Sequence, residues 1–230
     1  MTERLKVGVA GVGYLGRFHA LIYARHPGVE LVGVVDSNPE TAAKVAEEAG
    51  CRAYTEAGEL VDHVDALSIV VPTTAHLEVA RLFLQAGRHV LLEKPIATSV
   101  DEGREIVRLA KAAGVILQIG HLERFNAGVM ALANRIEAPR FIEAHRMSPF
   151  VARATDVDVN SDLKIHDIDI LLSLIDSEIS HISAAGAAVL TDHLDIANAR
   201  LEFANGAVAN VIASRVSREK MRRLREIGGD

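Results

Sequence analysis

Two groups of residues in this chain have the types and spacing to steady an oxyanion or move a proton. The first is Glu93-Lys94-Pro95, directly after the apolar run 89–92. That run reads as a strand of a parallel sheet, and in open parallel sheets ligands lie beyond the carboxyl ends of the strands. A lysine there faces the ligand side. Pro95 holds Lys94 extended and is itself open to a cis bond. An ammonium so placed can stabilise the alkoxide that forms as hydride leaves an alcohol. On position alone, a surface lysine in a turn is an equal reading. The second group is Asp162, His166, Asp167 and Asp169, on a segment of helical period. Residues four apart share a helix face, so Asp162 and His166 stand together and Asp169 lies near them. A carboxylate beside an imidazole suits proton abstraction from a hydroxyl, and histidine titrates near neutrality. A capped amphipathic helix, with Asp162 at the dipole and His166 half-buried, explains the same residues. A metal site is a third reading, but the segment lacks a partner at recognisable ligand spacing.

A third pattern concerns phosphate. Residues 7–16 read Val-Gly-Val-Ala-Gly-Val-Gly-Tyr-Leu-Gly. An apolar strand enters a tight turn and then a helix. Gly11 permits the turn, Gly13 lets a pyrophosphate approach the backbone, and Gly16 lets the helix pack against the strand. The N–H groups of Val12, Gly13, Tyr14 and Leu15 then lie at the positive end of the helix dipole. Asp36 ends the next apolar run, about 20 positions on, where it can accept ribose hydroxyls. Its charge repels a 2′-phosphate and no arginine follows it, so NAD is favoured over NADP. A helix cap is the alternative role for Asp36, and Ser37 or Asn38 can supply that cap instead. Val71-Pro72-Thr73-Thr74-Ala75-His76 closes the next main strand and faces the same cofactor side. Gly120-His121-Leu122-Glu123-Arg124 leaves the last parallel strand. There Arg124 either holds an anionic group of a substrate or pairs with Glu123 or another neighbour.

The elements that must position these residues change character along the chain. Stretches 5–10, 31–35, 65–71, 89–92 and 115–119 read as strands. Helices at 14–25, 39–49 and 75–86 separate them, with a fourth opened by a Ser99-x-x-Glu102 capping box and running to 113. Near-continuous apolar strands alternating with helices imply a parallel sheet covered on both faces. After about residue 120 the pattern becomes a helix at 124–136, a strand at 140–147, a loop at 148–158 and a helix at 162–175. Strands at 179–189, 196–203 and 207–216 follow. Asn205-Gly206 signals a type I′ hairpin. The basic run from Arg222 to the end reads as a solvated or frayed terminus. The expected fold is α/β: a doubly wound dinucleotide-binding domain over 1–120, then an α+β domain over 121–230 with an open, mostly antiparallel sheet.

Composition limits the function classes. The chain has 230 residues, 49% of them hydrophobic, enough for two modest cores. A net charge of −6 and 4% aromatic residues, with no Trp, argue against a nucleic-acid partner. Cys51 is the single cysteine, so an internal disulfide is impossible and a reducing compartment fits. The first strand begins within about five residues and no apolar run is long enough for a bilayer, so a soluble cytoplasmic protein without a membrane partner is expected.

The motifs together resemble the Gfo/Idh/MocA oxidoreductases. The pieces that match are Gly11-Val12-Gly13-Tyr14-Leu15-Gly16, Val71-Pro72-Thr73-Thr74-x-His76, Glu93-Lys94-Pro95, Gly120-His121-x-Glu123-Arg124-Phe125-Asn126 and Asp162-x-x-x-His166-Asp167-Ile168-Asp169. They run through almost the whole chain in the family's order. The resemblance implies a Rossmann domain whose NAD contacts include Val71, Pro72, Thr73, His76, Glu93, Lys94 and Pro95 as well as the glycine loop and Asp36. It implies a second domain that binds substrate and forms a homodimer or homotetramer through its sheet. It further implies oxidation of a sugar, cyclitol or nucleotide sugar, with Lys94 polarising the reacting oxygen, His166 moving the proton and Asp162 orienting one of them. Lys94, His121, Arg124, Asp162 and His166 are the implied substrate contacts; no metal is implied. The phrase Gly-His-x-Glu-Arg-Phe-Asn, with Ile-His-Asp-Ile-Asp-Ile-Leu-Leu, resembles the subgroup that oxidises the 3-hydroxyl of UDP-N-acetylglucosamine. Two features depart from the pattern. The chain is shorter than family members usually are, with fewer sheet strands, and Asn160-Ser161-Asp162-Leu163-Lys164 is unusually polar. An NAD-binding sensor, or an inactive subunit with an incomplete substrate domain, is the competing expectation.

Overall fold

The computed structural model describes residues 4–136, 138–150 and 158–228, without the side chain of Asp162. Two compact units meet in sequence between Gly120 and His121.

The first unit is a six-stranded sheet in the order β3-β2-β1-β4-β5-β6. Its strands are β1 (Leu5–Ala10), β2 (Val29–Val35), β3 (Arg52–Tyr54), β4 (Ala66–Ile69), β5 (His89–Leu92) and β6 (Leu117–Ile119). All pairings are parallel. The chain reverses its direction of travel across the sheet between β1 and β4, so a crevice opens at their carboxyl ends. Helices α1 (Tyr14–Arg25), α2 (Pro39–Ala49), α3 (His76–Gln85) and α4 (Val100–Ala113) connect the strands. Leu60, Leu67, Ile69, Phe83, Leu84, Leu92 and Ile106 make one core. Val9, Val12, Ala20, Val34, Val45 and Ala46 make a second.

Helix ends follow local chemistry. The side chain of Asn38 accepts from the Glu40 and Thr41 amides at the start of α2. Ser99 Oγ accepts from Glu102 N–H at 3.2 Å, and the Glu102 carboxylate accepts from Thr98 N–H at 3.1 Å. The short edge strand β3 and the 3₁₀ segment Ala57–His63 were not expected from the sequence. Arg-Ala-Tyr has no alternation to read; pairing with β2 makes it a strand.

The second unit begins with a 3₁₀ turn (Leu122–Phe125) and helix α5 (Ala127–Ala133). The single helix expected over 124–136 is therefore divided. Asn126 takes an extended ψ of 131° and caps Gly128 N–H. Then come β7 (Pro139–Met147), a π-helical turn (Asn160–Lys164) and α6 (Ile165–Leu174). Of the loop expected over 148–158, residues 151–157 lie outside the described residues. The sheet has five strands, ordered β11-β7-β10-β9-β8. Here β8 is Ile179–Ala187, β9 Ile196–Phe203, β10 Val208–Ser214 and β11 Met221–Gly228. Only β7 and β10 pair in parallel among these neighbours. Leu171 and Ile175, at the carboxyl end of α6 and just beyond, pack on Ile142, Leu201, Phe203, Ala209 and Val211.

Two expectations are corrected. The basic run from Arg222 is not a frayed end: through Gly228 it belongs to β11, paired antiparallel with β7. Its charged residues flank Leu224, which packs against the core. The β9–β10 hairpin is not a two-residue type I′ turn. Gly206 N–H donates to Phe203 O and Phe203 N–H to Ala207 O, with Gly206 at φ +85°. The loop is three residues with a glycine bulge, which also matches the strand twist. Among the described residues, no helix is long and apolar enough to cross a membrane.

One buried charge holds the β8–β9 connection. Asp195 is fully buried. Its carboxylate accepts from the amides of Val189, Leu190 and Thr191 and from Thr191 Oγ1 at 2.7–3.0 Å. Arg215 Nε donates to it at 2.7 Å. Burial alone would raise its pKa, but the Val189 and Leu190 amides and the Arg215 guanidinium hold it far below the usual carboxylate range. A lowered folded pKa means that the stabilisation is present above the unfolded value and lost as pH falls toward the folded one. Asp195→Asn is expected to lower the urea midpoint clearly at about pH 7, and the gap from the native protein to narrow below about pH 4. Denaturation curves at both pH values check this.

Candidate functional site

In the first unit the glycine loop is built by close backbone approach. Gly11 has φ +81°, and a Cβ there would lie 2.6 Å from Val71 N. A Cβ at Gly16 would lie 1.8 Å from Gly11 O. Both positions require glycine because backbone occupies the space. Gly13 is different: nothing lies within 4 Å of where its Cβ would be. Gly13 also precedes α1 with no side-chain cap, which leaves first-turn N–H groups for an anion. An open glycine over an uncapped helix start fits a dinucleotide pyrophosphate. Tyr14 is 82% exposed beside this loop and Leu15 is exposed too.

Asp36 stands at the end of β2, half-buried. Its Oδ2 accepts from Val12 N–H at 2.9 Å and its Oδ1 from Asn38 N–H at 3.0 Å. The α2 cap falls to Asn38, so Asp36 is released from that role. Val12 lies between Gly11 and Gly13 in the loop. Its side chain is buried in the core and its amide is taken by Asp36.

Val71, Pro72 and Thr73 leave β4 at the switch point, and Lys94 leaves β5 beside them with a cis Lys94–Pro95 bond. His76 braces the protein from within. It is 1% exposed. Its Nε2 lies 3.0 Å from Val71 O and its Nδ1 3.0 Å from Pro95 O. The ring therefore ties the end of β4 to the Glu-Lys-Pro turn. Glu93 is 7% exposed and turns inward. Its Oε2 accepts from Lys94 N–H at 3.2 Å, and its Oε1 faces His19 Nε2 at 3.5 Å. His19 Nδ1 in turn lies 2.7 Å from Ser68 Oγ. Burial pushes the Glu93 pKa up, but His19 and the Lys94 amide outweigh it and hold the carboxyl below its usual range. The sequence reading missed His19 and Ser68. The available signal was a hydroxyl inside the otherwise apolar strand β4.

In the second unit His166 is half-buried near the start of α6. The side chain of Asp162 lies outside the described residues. The other acids of α6 have arginine partners. Arg124 grips Asp169 through Nε and Nη2, both at 2.6 Å, and His121 Nε2 lies 3.8 Å from the same carboxylate. Arg146 grips Asp167 at 2.9 and 2.8 Å. Of the two readings left open for Arg124, pairing is observed, with Asp169 rather than Glu123. The two donor edges it presents to Asp169 are not open to a substrate anion. Lys164, part of the polar stretch noted in the sequence, is 3% exposed. Burial lowers its pKa and the Asp158 charge partly restores it.

The chain matches known proteins along nearly its whole length. Residues 5–121 match the model of an oxidoreductase family with an NAD-binding Rossmann fold, and residues 132–230 match the GFO/IDH/MocA C-terminal domain. The chain belongs to the Gfo/Idh/MocA oxidoreductases. One relative in this family is the UDP-N-acetylglucosamine 3-dehydrogenase of Acidithiobacillus ferrooxidans. It is 44% identical over 222 residues, which is 96% of this chain and 70% of that protein. Its solved structure aligns at a TM-score of 0.94 with 43% identity, over 99% of this chain and 75% of that one. The scyllo-inositol 2-dehydrogenase (NAD(+)) of Bacillus subtilis is 29% identical over 94% of this chain and 69% of its own length. As a Gfo/Idh/MocA protein the chain is an NAD-linked oxidoreductase, and its first unit is the NAD-binding Rossmann fold.

The loop geometry sets two expected outcomes. Asp36→Ala removes a charged acceptor and leaves Val12 N–H without its partner, so NAD affinity should fall roughly thirtyfold, about 2 kcal/mol. Gly16→Ala drives a methyl group into the Gly11 carbonyl and should cost about 3 kcal/mol of stability. Titration calorimetry with NAD and thermal unfolding, respectively, measure these.

Proposed function

We propose that this protein oxidises the 3-hydroxyl of UDP-N-acetylglucosamine to a ketone with reduction of NAD. The observation that carries the reading is that 44% identity to a protein of that activity runs through 96% of the chain, and so through both units. The inositol dehydrogenases among the relatives support a cyclitol as the second substrate class.

NAD, when bound, supplies the hydride acceptor. Gly11, Val12, Gly13, Tyr14, Leu15 and Gly16 would hold its pyrophosphate, Asp36 its adenosine ribose, and Val71, Pro72, Thr73, His76, Glu93, Pro95 and the backbone of Lys94 the opposite side of the crevice. We assign Lys94 to the substrate oxygen. Its ammonium lowers the cost of negative charge on that oxygen as the C–H bond is lost. We assign His166 to the hydroxyl proton, because a neutral imidazole accepts it and later gives it to solvent. Asp162 is proposed to orient His166 or the sugar, and His121 to contact the substrate. Arg124 is proposed to meet the substrate only through the Nη1 side of its fork, since Asp169 holds the other.

The second unit is proposed to bind substrate and to form a homodimer or homotetramer through its sheet. Edge strand β8 is exposed along nearly its whole length, with Ile182 58% exposed. The reducing chemistry implied by a single cysteine supports a cytoplasmic enzyme.

UDP-N-acetylglucosamine added to the protein with NAD should produce NADH absorbance; silence from folded, NAD-binding protein, set against turnover of inositols, would select the second substrate class. Lys94→Ala and His166→Ala should each lower kcat about 10²–10⁴-fold, with NAD affinity changed less than about threefold. Steady-state kinetics and NAD titration measure the two quantities separately.

A further inference from the structure

A buried carboxylate in the Glu-Lys-Pro turn needs an explanation that packing does not supply. Glu93 is 7% exposed, and a Cβ on Gly120 would lie 2.6 Å from its Oε1. An apolar side chain would fill that space without the desolvation cost of a charge. Instead the carboxylate sits between two polar groups. On one side it accepts the backbone N–H of Lys94. On the other it faces His19 Nε2, and Oε1 accepts no hydrogen bond among the described residues. His19 is fixed in turn by Ser68, mid-strand in β4, at 2.7 Å. The tautomer with its proton on Nε2 aims N–H at the carboxylate and takes the Ser68 hydroxyl proton at Nδ1. The side chains of His19 and Glu93 are only 10% and 8% exposed. Solvent screening is therefore weak.

His19 lies in α1, the helix that opens at Gly13. The chain Ser68–His19–Glu93–Lys94 therefore links the helix that takes the dinucleotide phosphates to the turn that carries the lysine. We propose that His19 is a positioning residue for Lys94. It holds the Glu93 carboxylate in the one place from which that carboxylate fixes the Lys94 backbone, so that α1 and the lysine turn move as a unit. His19 itself touches neither the hydroxyl nor the hydride path. The catalytic part of this inference rests on the role proposed above for Lys94.

The test uses the NAD-bound full chain with His19→Leu and His19→Gln, each made alone and together with Lys94→Ala. The glutamine keeps a donor toward Glu93; the leucine does not. By amide hydrogen exchange, His19→Leu should speed exchange at residue 94 about tenfold, leave helix α2 within about twofold, and be largely rescued in His19→Gln. With UDP-N-acetylglucosamine and NAD, His19→Leu should lower kcat about ten- to a hundredfold with little change in the KM for NAD. It should add nothing in the Lys94→Ala background, because a residue acting through another has no further effect once that other is gone. Unchanged exchange at residue 94 overturns the proposal, and so does an equal loss of kcat in both backgrounds. If His19→Leu does not fold, Glu93→Gln carries the same exchange and kinetic tests. Full turnover in Lys94→Ala alone would instead reject the role assigned to Lys94, while the exchange result would still decide whether His19 braces the turn.

Discussion

The Gly11 carbonyl occupies the space where a side chain at position 16 would begin. This approach brings the start of α1 against the end of β1, at the point where the sheet order reverses between β1 and β4. The rest of the cofactor side follows from it. With α1 seated so closely, its first-turn amides point into the crevice and Gly13 leaves them uncovered. The end of β4 must then pass beside Gly11, and Val70 and Val71 do so at backbone contact distance. From there His76 reaches to Pro95, so the turn bearing Lys94 is referred to the same point.

Among the described residues, each buried carboxylate faces a basic side chain. Glu93 has His19, Asp169 has Arg124, Asp167 has Arg146 and Asp195 has Arg215. Such pairs add little net stability, since desolvation consumes most of the attraction. Their effect is to fix position: a paired charge loses much when displaced, whereas an apolar contact slides. Two of them hold α6, which carries His166, through its neighbours Asp167 and Asp169. Another holds the turn that carries Lys94. The fourth holds the β8–β9 connection, and the apolar clusters elsewhere supply the cohesion.

Local sequence signals were accurate where one physical cause dominated. Strand β1, helices α1 and α2 and strand β5 lie where apolar runs and cap residues placed them, because Asn38, Gly50 and Gly114 each satisfy helix ends locally. Signals failed where two causes competed. Residues 124–136 have helical period, but the side chain of Asn126 caps Gly128 and takes the chain out of the helix. Residues 222–228 read as a charged tail because Arg222, Arg223, Arg225 and Glu226 outweigh Leu224, which packs against the core. Around the glycine loop the residue types were legible, since Gly11, Gly13, Gly16 and Asp36 stand at telling spacing. Which side chains face inward was not. The side chains of His76 and Glu93 have protein partners inside the fold, and His19 and Ser68 gave little sign of theirs.

By itself, the sequence determined the dinucleotide loop, the alternation of strands and helices, the preference for NAD and membership of the Gfo/Idh/MocA oxidoreductases. Each of these is written in residues close together in the chain, where steric freedom, periodicity and charge act over a few positions. Only the tertiary structure decided which polar groups spend their hydrogen bonds on the protein itself. Arg124 meets Asp169 across 45 positions, and His19 meets Ser68 across 49. No short-range rule specifies such a pairing, because it depends on where folding brings distant backbone together and on the cost of leaving either group buried alone.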